Sequence, residues 1–374
     1  MKIAFFYNLS PGGAKRVVFE EIKYFASKGH EIDIYRYSET DESFLCPDRY
    51  AQKINTYKAL LTKNKKGFNR FLHDLNVLVK LALISKNISS DIDKEKYDTV
   101  IVHPDNYTQA PFVLQFLKTP SIYFCEELLR SSYEKKFDVH KSLPIHKYIY
   151  EKTVRMIKKY NDRKNARSAD IILTASEFIR DKVKFAYEKD AFINRLGVDE
   201  NIFCKRKNKK SNNLLFIGQK ELVTGYYFAK YVVNKISGSK FKLKVIDFKD
   251  NKLRYTDERL SQIYSDAFLT LCVAYDEPFG LSSIESMSCG TPVIAVNEGG
   301  YHESVINNVN GYLLKRDGNE FIEKIIKLKE NNNLYRKMSD KGILNIRKYW
   351  NWEDHGERLI GFIKKVNKNN INKD

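Results

Sequence analysis

Tyr275-Asp-Glu-Pro-Phe-Gly-Leu-Ser-Ser-Ile-Glu-Ser-Met-Ser-Cys-Gly-Thr-Pro-Val-Ile-Ala295 reads, in order, as a strand end, a loop, a helix, a glycine stop and a new strand. The loop at Pro278-Phe-Gly280 lets a ligand come close to the backbone, because glycine has no Cβ. The helix is expected to start near Ser282. Its first N–H groups lack partners in the helix, and such an end is an anion site suited to a pyrophosphate. Glu277 precedes this helix and Glu285 falls in its first turns. A phosphate repels carboxylates, so these two suit sugar hydroxyls instead, one on a ribose and one on a second sugar. Taken alone, the same two acids also fit a solvated loop acid and a helix-dipole acid.

Strand signals lie on both sides of this segment. Leu214–Gly218, Phe241–Ile246, Ala267–Val273 and Pro292–Val296 are apolar runs, and Thr256–Ser265 has helical spacing with Leu260, Ile263 and Tyr264 inward. The first half repeats the theme. Ile3–Tyr7 is a strand and Asn8–Gly13 a turn. A helix from Ala14 to Lys28 carries Val18, Ile22, Phe25 and Ala26 on one face and ends at Gly29, and Glu31–Tyr35 is the next strand. Tyr97–His103, Ser121–Cys125 and Ser168–Ser176 extend the series, and Asp190–Leu196 closes it. Alternating strands and helices predict an α/β chain with mostly parallel sheets. The composition shifts at Cys204–Asn213, which is polar and basic without apolar period. The expected organisation is therefore a first domain over 1–198, a linker over 199–213 and a second domain over 214–351. An amphipathic helix over 352–366 is expected to pack back onto the first domain.

The 374 residues suit two domains. No segment reaches the roughly 18–20 apolar residues of a membrane span; the longest candidate, Val77–Ile84, is interrupted by Lys80. The first residues read as a buried strand and not as a secretory signal. Five scattered cysteines with no Cys-x-x-Cys pair argue against a zinc site or a disulfide framework. A cytoplasmic chain, docked peripherally on the inner face of a membrane, is the expectation. The net charge of +18 admits nucleic acid, an anionic membrane surface, or compositional drift toward Lys, Asn, Ile and Tyr. Seven basic residues (Arg49, Lys53, Lys58, Lys63, Lys65, Lys66, Arg70) stand between Asp48 and Asp74 without an acid. Leu60, Leu61, Phe68, Phe71 and Leu72 are interleaved with them, and a second basic helix is expected over His146–Arg167. Basic and apolar residues mixed in this way suit an anionic membrane interface, and they also suit a solvated face with core contacts. No recognised nucleic-acid motif is present, so no nucleic-acid partner is expected.

The second half resembles the family 4 glycosyltransferases of the GT-B fold. Their pattern is two glutamates with Pro-Phe-Gly-Leu after the first. Glu277, Pro278, Phe279, Gly280, Leu281 and Glu285 match it, as do Gly290–Ala295, Asn297-Glu-Gly-Gly300, Glu303, Asn310-Gly311 and Leu260–Ala267. Pro11-Gly12-Gly13-Ala14 resembles the family's donor-facing glycine loop. The resemblance implies two Rossmann-like domains facing a central cleft. It implies transfer, with retention, of a sugar from a UDP- or GDP-sugar donor to a glycan or lipid-linked acceptor, without a metal or other cofactor. It further implies that Glu285 holds the ribose, Glu277 the donor sugar, the N–H groups of Gly280 and Leu281 the sugar and phosphate, and Gly12 and Gly13 the donor from the first domain. Phe279, Ser282 and Gly218 fall in the same donor-binding segments.

This sequence departs from the family at two places. The family's Arg after the first strand of the second domain is Gln219 here, and its Lys before the next glycine is Thr224; Lys220 stands one residue along as a substitute. Charge-assisted bonds to phosphate are the strong ones, so this bears directly on leaving-group stabilisation. The family's histidine in the Tyr123–Arg130 loop is replaced by Glu126, with Glu127 and Arg130 adjacent, which makes Glu126 a catalytic candidate beside Glu277. His103, before Pro104-Asp105, reads either as a crevice residue or as a structural one. The alternative to an active transferase is a catalytically weak sugar-nucleotide-binding partner subunit of another glycosyltransferase.

Overall fold

The structure, a computed structural model, describes residues 1–59, 68–134, 137–138, 143–206, 210–236, 240–247 and 255–371. In chain order its first elements are β1 (Lys2–Asn8), α1 (Gly13–Ser27), β2 (Glu31–Tyr37), β3 (Lys53–Tyr57), α2 (Phe68–Lys94), β4 (Thr99–Asp105) and β5 (Ser121–Phe124). Next come α3 (Arg130–Tyr133), α4 (Ile145–Ser168), β6 (Ile171–Thr174), α5 (Glu177–Tyr187) and β7 (Ala191–Ile193). The second half has β8 (Asn213–Ile217), α6 (Tyr226–Lys235), β9 (Lys242–Ile246), α7 (Asp257–Asp266), β10 (Leu269–Cys272), α8 (Leu281–Ser288), β11 (Val293–Val296), α9 (Tyr301–Ser304), β12 (Gly311–Leu314), α10 (Gly318–Glu330) and α11 (Asn332–Tyr349), and α12 (Trp352–Ile371) is the last element of the described residues. Lys63, Lys65, Lys66, Leu60 and Leu61 of the basic stretch, and Lys207, Asn208 and Lys209 of the expected linker, lie outside the described residues. So does the side chain of Phe68.

The chain divides into two compact units. Unit 1 is Met1–Ala175, Ile179–Asn194 and Gly356–Asp374; unit 2 is Ser176–Phe178 and Arg195–His355.

Unit 1 is built on a seven-stranded parallel sheet of order β3-β2-β1-β4-β5-β6-β7. β1 and β4 are flanked by strands on both sides and are almost wholly buried, which is why they read as continuous apolar runs. The edge strand β3 (Lys-Ile-Asn-Thr-Tyr) is largely exposed, and its polar alternation gave no strand signal. β4 begins two residues later than expected, at Thr99; just before it Asp98 donates its N–H to the Lys2 carbonyl at 2.8 Å and accepts the Lys2 N–H on its side chain at 2.7 Å. Pairing with β1 slips near the other end: Phe6 faces Val102 but Asn8 faces Asp105. The extra residue falls at His103-Pro104, where proline offers no N–H to the ladder. The direction of strand addition reverses between β1 and β4, and the carboxyl ends of strands at such a reversal are where open α/β sheets bind ligands. α12 runs beyond the expected residue 366. Within unit 1, Arg358 donates to Asn194 Oδ1 at 3.0 Å, and the Phe362 and Phe192 rings meet at 5.7 Å.

Unit 2 is a five-stranded parallel sheet of order β12-β11-β10-β8-β9, reversing between β8 and β10. Its helices carry the caps their sequences offer. Thr256 Oγ1 accepts the Arg259 N–H ahead of α7, and Asn331 Oδ1 accepts the Leu334 N–H ahead of α11. Phe203 and Cys204 are bound to this unit through their carbonyls, which accept the hydroxyls of Ser288 and Ser265. Among the described residues no helix is long and apolar enough to cross a membrane.

Candidate functional site

Within unit 2 the loop between β10 and α8 is held from several sides. Gly300 N–H donates to the Glu277 carbonyl at 2.7 Å, and Ser176 Oγ donates to the Pro278 carbonyl at 2.6 Å. Ser283 Oγ donates to the Gly280 carbonyl at 2.7 Å and lies 2.8 Å from Ser304 Oγ. Phe279 is 3% exposed, with its ring 5.2 Å from that of Trp350, so its side chain anchors the loop and only its backbone faces outward chemistry. Burying such a ring is worth about 1.5–3 kcal/mol. Gly280 is in the left-handed region at φ 92, and a Cβ there would sit 2.5 Å from the Tyr301 ring. Gly299, at φ 64, would place a Cβ 2.5 Å from the Glu277 carbonyl oxygen. Both glycines are therefore required for the Glu277 loop and the Gly299-Gly300 turn to lie against each other.

Helix α8 starts at Leu281, one residue before the expected position, and Leu281 and Ser282 are half-buried. Glu277 is also half-buried. Glu285 is 6% exposed and accepts the Tyr264 hydroxyl at 2.8 Å. Tyr264 itself is fully buried, which, with the Glu285 carboxylate beside it, pushes its phenol well above the usual range.

The turn from β8 to α6 is tied down by its own backbone. Gly218 N–H donates to the Ile246 carbonyl at 2.9 Å, and Thr224 Oγ1 donates to the Gln219 and Glu221 carbonyls at 2.6 and 2.9 Å. Thr224, standing where the family has a lysine, thus fastens the turn. Lys220 is exposed on it. One residue that no motif announced is Arg316, just after β12. Its guanidinium donates to the Val273 carbonyl at 2.8 Å and the Glu298 carboxylate at 2.6 Å, and lies over the Tyr275 ring at 3.6 Å. It clips the end of β10 to the loop after β11.

In unit 1, Gly12 is the N-cap of α1, with open space where a Cβ would be, and Gly13 is exposed. Beneath this end, Asn8 Nδ2 donates to Asp105 Oδ1 at 2.7 Å, and burial pushes the Asp105 carboxyl up to about 6. Lys15 is fully buried, donates to both Glu42 oxygens at 2.7 Å and lies 4.1 Å from the centre of the Tyr7 ring. Arg36 binds Asp48 in the two-pronged way, at 2.5 and 2.8 Å. Glu42, Cys46 and Asp48 lie close enough together to ligate a metal ion, but both carboxylates already bind these cations. His103 is fully buried between the Phe5 and Phe124 rings, with Glu21 on one nitrogen and Glu126 on the other. Arg130 pairs with Glu134 at 3.2 Å.

Residues 205–344 match a family model described as Glycosyl transferases group 1. A probable sucrose-phosphate synthase of Thermosipho melanesiensis is 29% identical over 151 residues, 39% of this chain and 32% of that protein. A D-inositol 3-phosphate glycosyltransferase of Nocardiopsis dassonvillei is 43% identical over 60 residues, 16% of this chain and 14% of that one. The chain thus matches a third or less of the length of these curated relatives. Among solved structures, a sucrose-phosphate synthase from Thermosynechococcus elongatus superposes with a TM-score of 0.73 at 15% identity, covering 98% of this chain and 99% of that one. Anabaena HepE in complex with UDP and glucose gives 0.70 at 14%, covering 97% and 99%. At such identities the superpositions speak for the fold, and the motif around Glu277 and Glu285 falls inside the matched domain. Residues 205–344 thus match the group 1 glycosyltransferase model, and the fold of the chain is that of the solved GT-B glycosyltransferases.

Proposed function

We propose that the protein transfers a sugar from a nucleotide-diphosphate donor, a UDP- or GDP-sugar, to a glycan or lipid-linked acceptor, with retention and without a metal. The observation that carries this is the Glu277–Gly280 loop, fastened to Gly300 and Ser176, next to the start of α8 and the buried Glu285. A rigid loop ahead of a helix N-terminus gives a diphosphate its hydrogen bonds without reorganisation. In this reading Glu285 accepts from the ribose and Glu277 from the donor sugar. Gly218, Lys220, Phe279, Gly280, Leu281 and Ser282 form the donor-binding segments through backbone and charge. In unit 1 the candidate site residues are Gly12, Gly13 and Glu126. The solved neighbour that holds UDP and glucose is consistent with a uridine donor.

A thermal-shift screen against UDP, GDP, ADP and their sugars tests binding, since a ligand of the folded state alone raises Tm. Transfer or donor hydrolysis by the wild type and by Glu277→Ala tests catalysis. No shift with any nucleotide would end the reading. A second reading, a catalytically weak sugar-nucleotide-binding partner subunit, is favoured by Gln219 and Thr224 at the family's two cation positions; it predicts nucleotide binding with little turnover.

We also propose that unit 1 docks on an anionic membrane through α4. Ile145 and Met156 are 71% and 70% exposed, and with Ile149 and Tyr160 they follow one another at helical spacing. Lys152, Lys159, Lys164 and Arg167 stand among or beside them. The two acids of the helix are engaged elsewhere, Asp162 in the core and Glu151 toward Arg70 at 3.9 Å.

A further inference from the structure

His103 stacks on Phe5 with ring centroids 6.4 Å apart and on Phe124 at 5.5 Å, nearly parallel to both. Only its ring edge is left for polar contact. There Nε2 lies 2.8 Å from Glu21 Oε2 and Nδ1 lies 3.3 Å from Glu126 Oε1. A neutral imidazole has one donor and one acceptor, whereas ionised carboxylates only accept. Both contacts are hydrogen bonds at once when the ring carries two protons. The side chains of Glu21 and His103 are wholly buried, and that of Glu126 is 13% exposed. The three groups thus run from the core to the carboxyl end of β5, with one carboxylate reaching solvent. The ring is held on the strand whose extra residue, at His103-Pro104, re-aims it out of regular register.

We propose that His103 is a positioning residue that orients the Glu126 carboxylate for sugar transfer. This rests on the reading of Glu126 as part of the transfer site. The charged groups facing the ring are Glu21 from α1 and Glu126 after β5; β1 and β5 present the Phe5 and Phe124 rings. Neighbouring Tyr123 and Cys125 are buried and pushed well above their usual ranges, so they remain neutral. Burial raises the Glu126 carboxyl, the bond to His103 and its charge pull it down, and Glu21 pushes it up. Removing the imidazolium therefore leaves Glu126 both misdirected and protonated at higher pH.

The test is the pH profile of hydrolysis or transfer for His103→Gln, the double variant His103→Gln with Glu21→Gln, and Glu126→Gln. The donor is whichever of UDP-glucose, UDP-N-acetylglucosamine and GDP-mannose the wild type turns over. The double variant leaves no unpaired charge at Glu21, so it remains informative where the single one does not fold. Both His103 variants should lose roughly a hundredfold in kcat, as misplacing a reacting group by an ångström does, with donor KM near wild type. Their acid limb should move to higher pH. A double variant with the wild-type limb and rate overturns the proposal, as does a fully active Glu126→Gln. If Glu277→Ala also retains full activity, the sugar-transfer reading falls with it; if Glu277→Ala is inactive, that reading stands. Ring-nitrogen chemical shifts of the wild type need no variant, and a singly protonated His103 ring at about pH 7.5 also overturns the proposal.

Discussion

Tyr264 and Glu285 form a buried hydrogen bond, 2.8 Å from hydroxyl to carboxylate, that ties α7 to α8. The phenol is held neutral by burial and so stays a donor. Tyr264→Phe keeps the ring and removes the donor. Hydrogen bonds to charged groups contribute about 1.5–3 kcal/mol, and the variant should lose that much in denaturant unfolding. With Glu285 freer to rotate, donor KM should rise more than kcat falls. A variant with unchanged KM would show that Tyr264 supports the fold and not the orientation of the ribose acceptor.

Glu277 is half-buried, and its backbone fixes the loop through Gly300. The bond that fixes the loop does not use its side chain. Glu277→Ala should melt close to the wild type yet lose roughly 10²–10³ in kcat, the usual cost of one group that stabilises transition-state charge. Steady-state kinetics beside a melting curve decide this. A large fall in Tm would move the residue from chemistry to structure.

Gly299→Ala tests the loop from the other side. Its φ of 64 and the 2.5 Å approach to the Glu277 oxygen leave no room for a methyl group without displacing that oxygen. The variant should lose at least about 1–3 kcal/mol, as left-handed non-glycine backbone does. It should also lose activity beyond what its unfolded fraction explains. Activity in proportion to folded protein would mean that the loop has slack.

The segment from Tyr275 to Ala295 was legible because its information is local: a glycine with a required backbone conformation, helical spacing, then an apolar strand. The same holds for β1, α1 and Gly29, whose φ of 74 ends the helix as expected. What escaped the sequence depends on pairings across long separations. Glu21 meets His103 over 82 residues, and Lys15 meets Glu42 over 27. No periodicity announces a buried lysine or an arginine that, like Arg316, clips two loops. Phe279 was legible as a motif residue, but its direction was not, because only the packing against Trp350 shows that the ring faces inward. β3 was missed because an edge strand need not be apolar.

The α4 face yields a prediction independent of catalysis. Vesicles containing phosphatidylserine should sediment the protein and neutral phosphatidylcholine vesicles should not. Salt should weaken the binding, because the attraction is screened over about 8 Å at physiological ionic strength. Ile149→Glu with Met156→Glu should abolish it without changing Tm, since both side chains are exposed. Equal sedimentation with both lipids would remove anionic recognition from the account.

Unit 1 also fixes the direction in which stability changes with pH. Burial pushes Asp105 up to about 6 and Asp162 up to about 7, from 3.8. Burial alone would lower His103, but Glu21 and Glu126 outweigh it and bring the ring from 6.5 to about 9. All three groups bind their protons more tightly folded than unfolded, so each contributes stability below its unfolded value and loses it as pH rises through the folded one. The windows are 3.8 to about 6, 3.8 to about 7, and 6.5 to about 9. Asp48, pulled below the usual range chiefly by its bonds to Arg36, works the opposite way and loses its contribution only in more acidic solution. Unfolding free energy measured in urea should therefore be greatest on the acid side of neutrality and fall steadily toward about pH 9. Asp162→Asn, whose one oxygen can keep the Ala110 N–H while its amide N–H donates to the Tyr187 oxygen, should flatten the part of that slope below about pH 7. Stability that rises from acid to neutral pH would contradict the protonation of these buried groups.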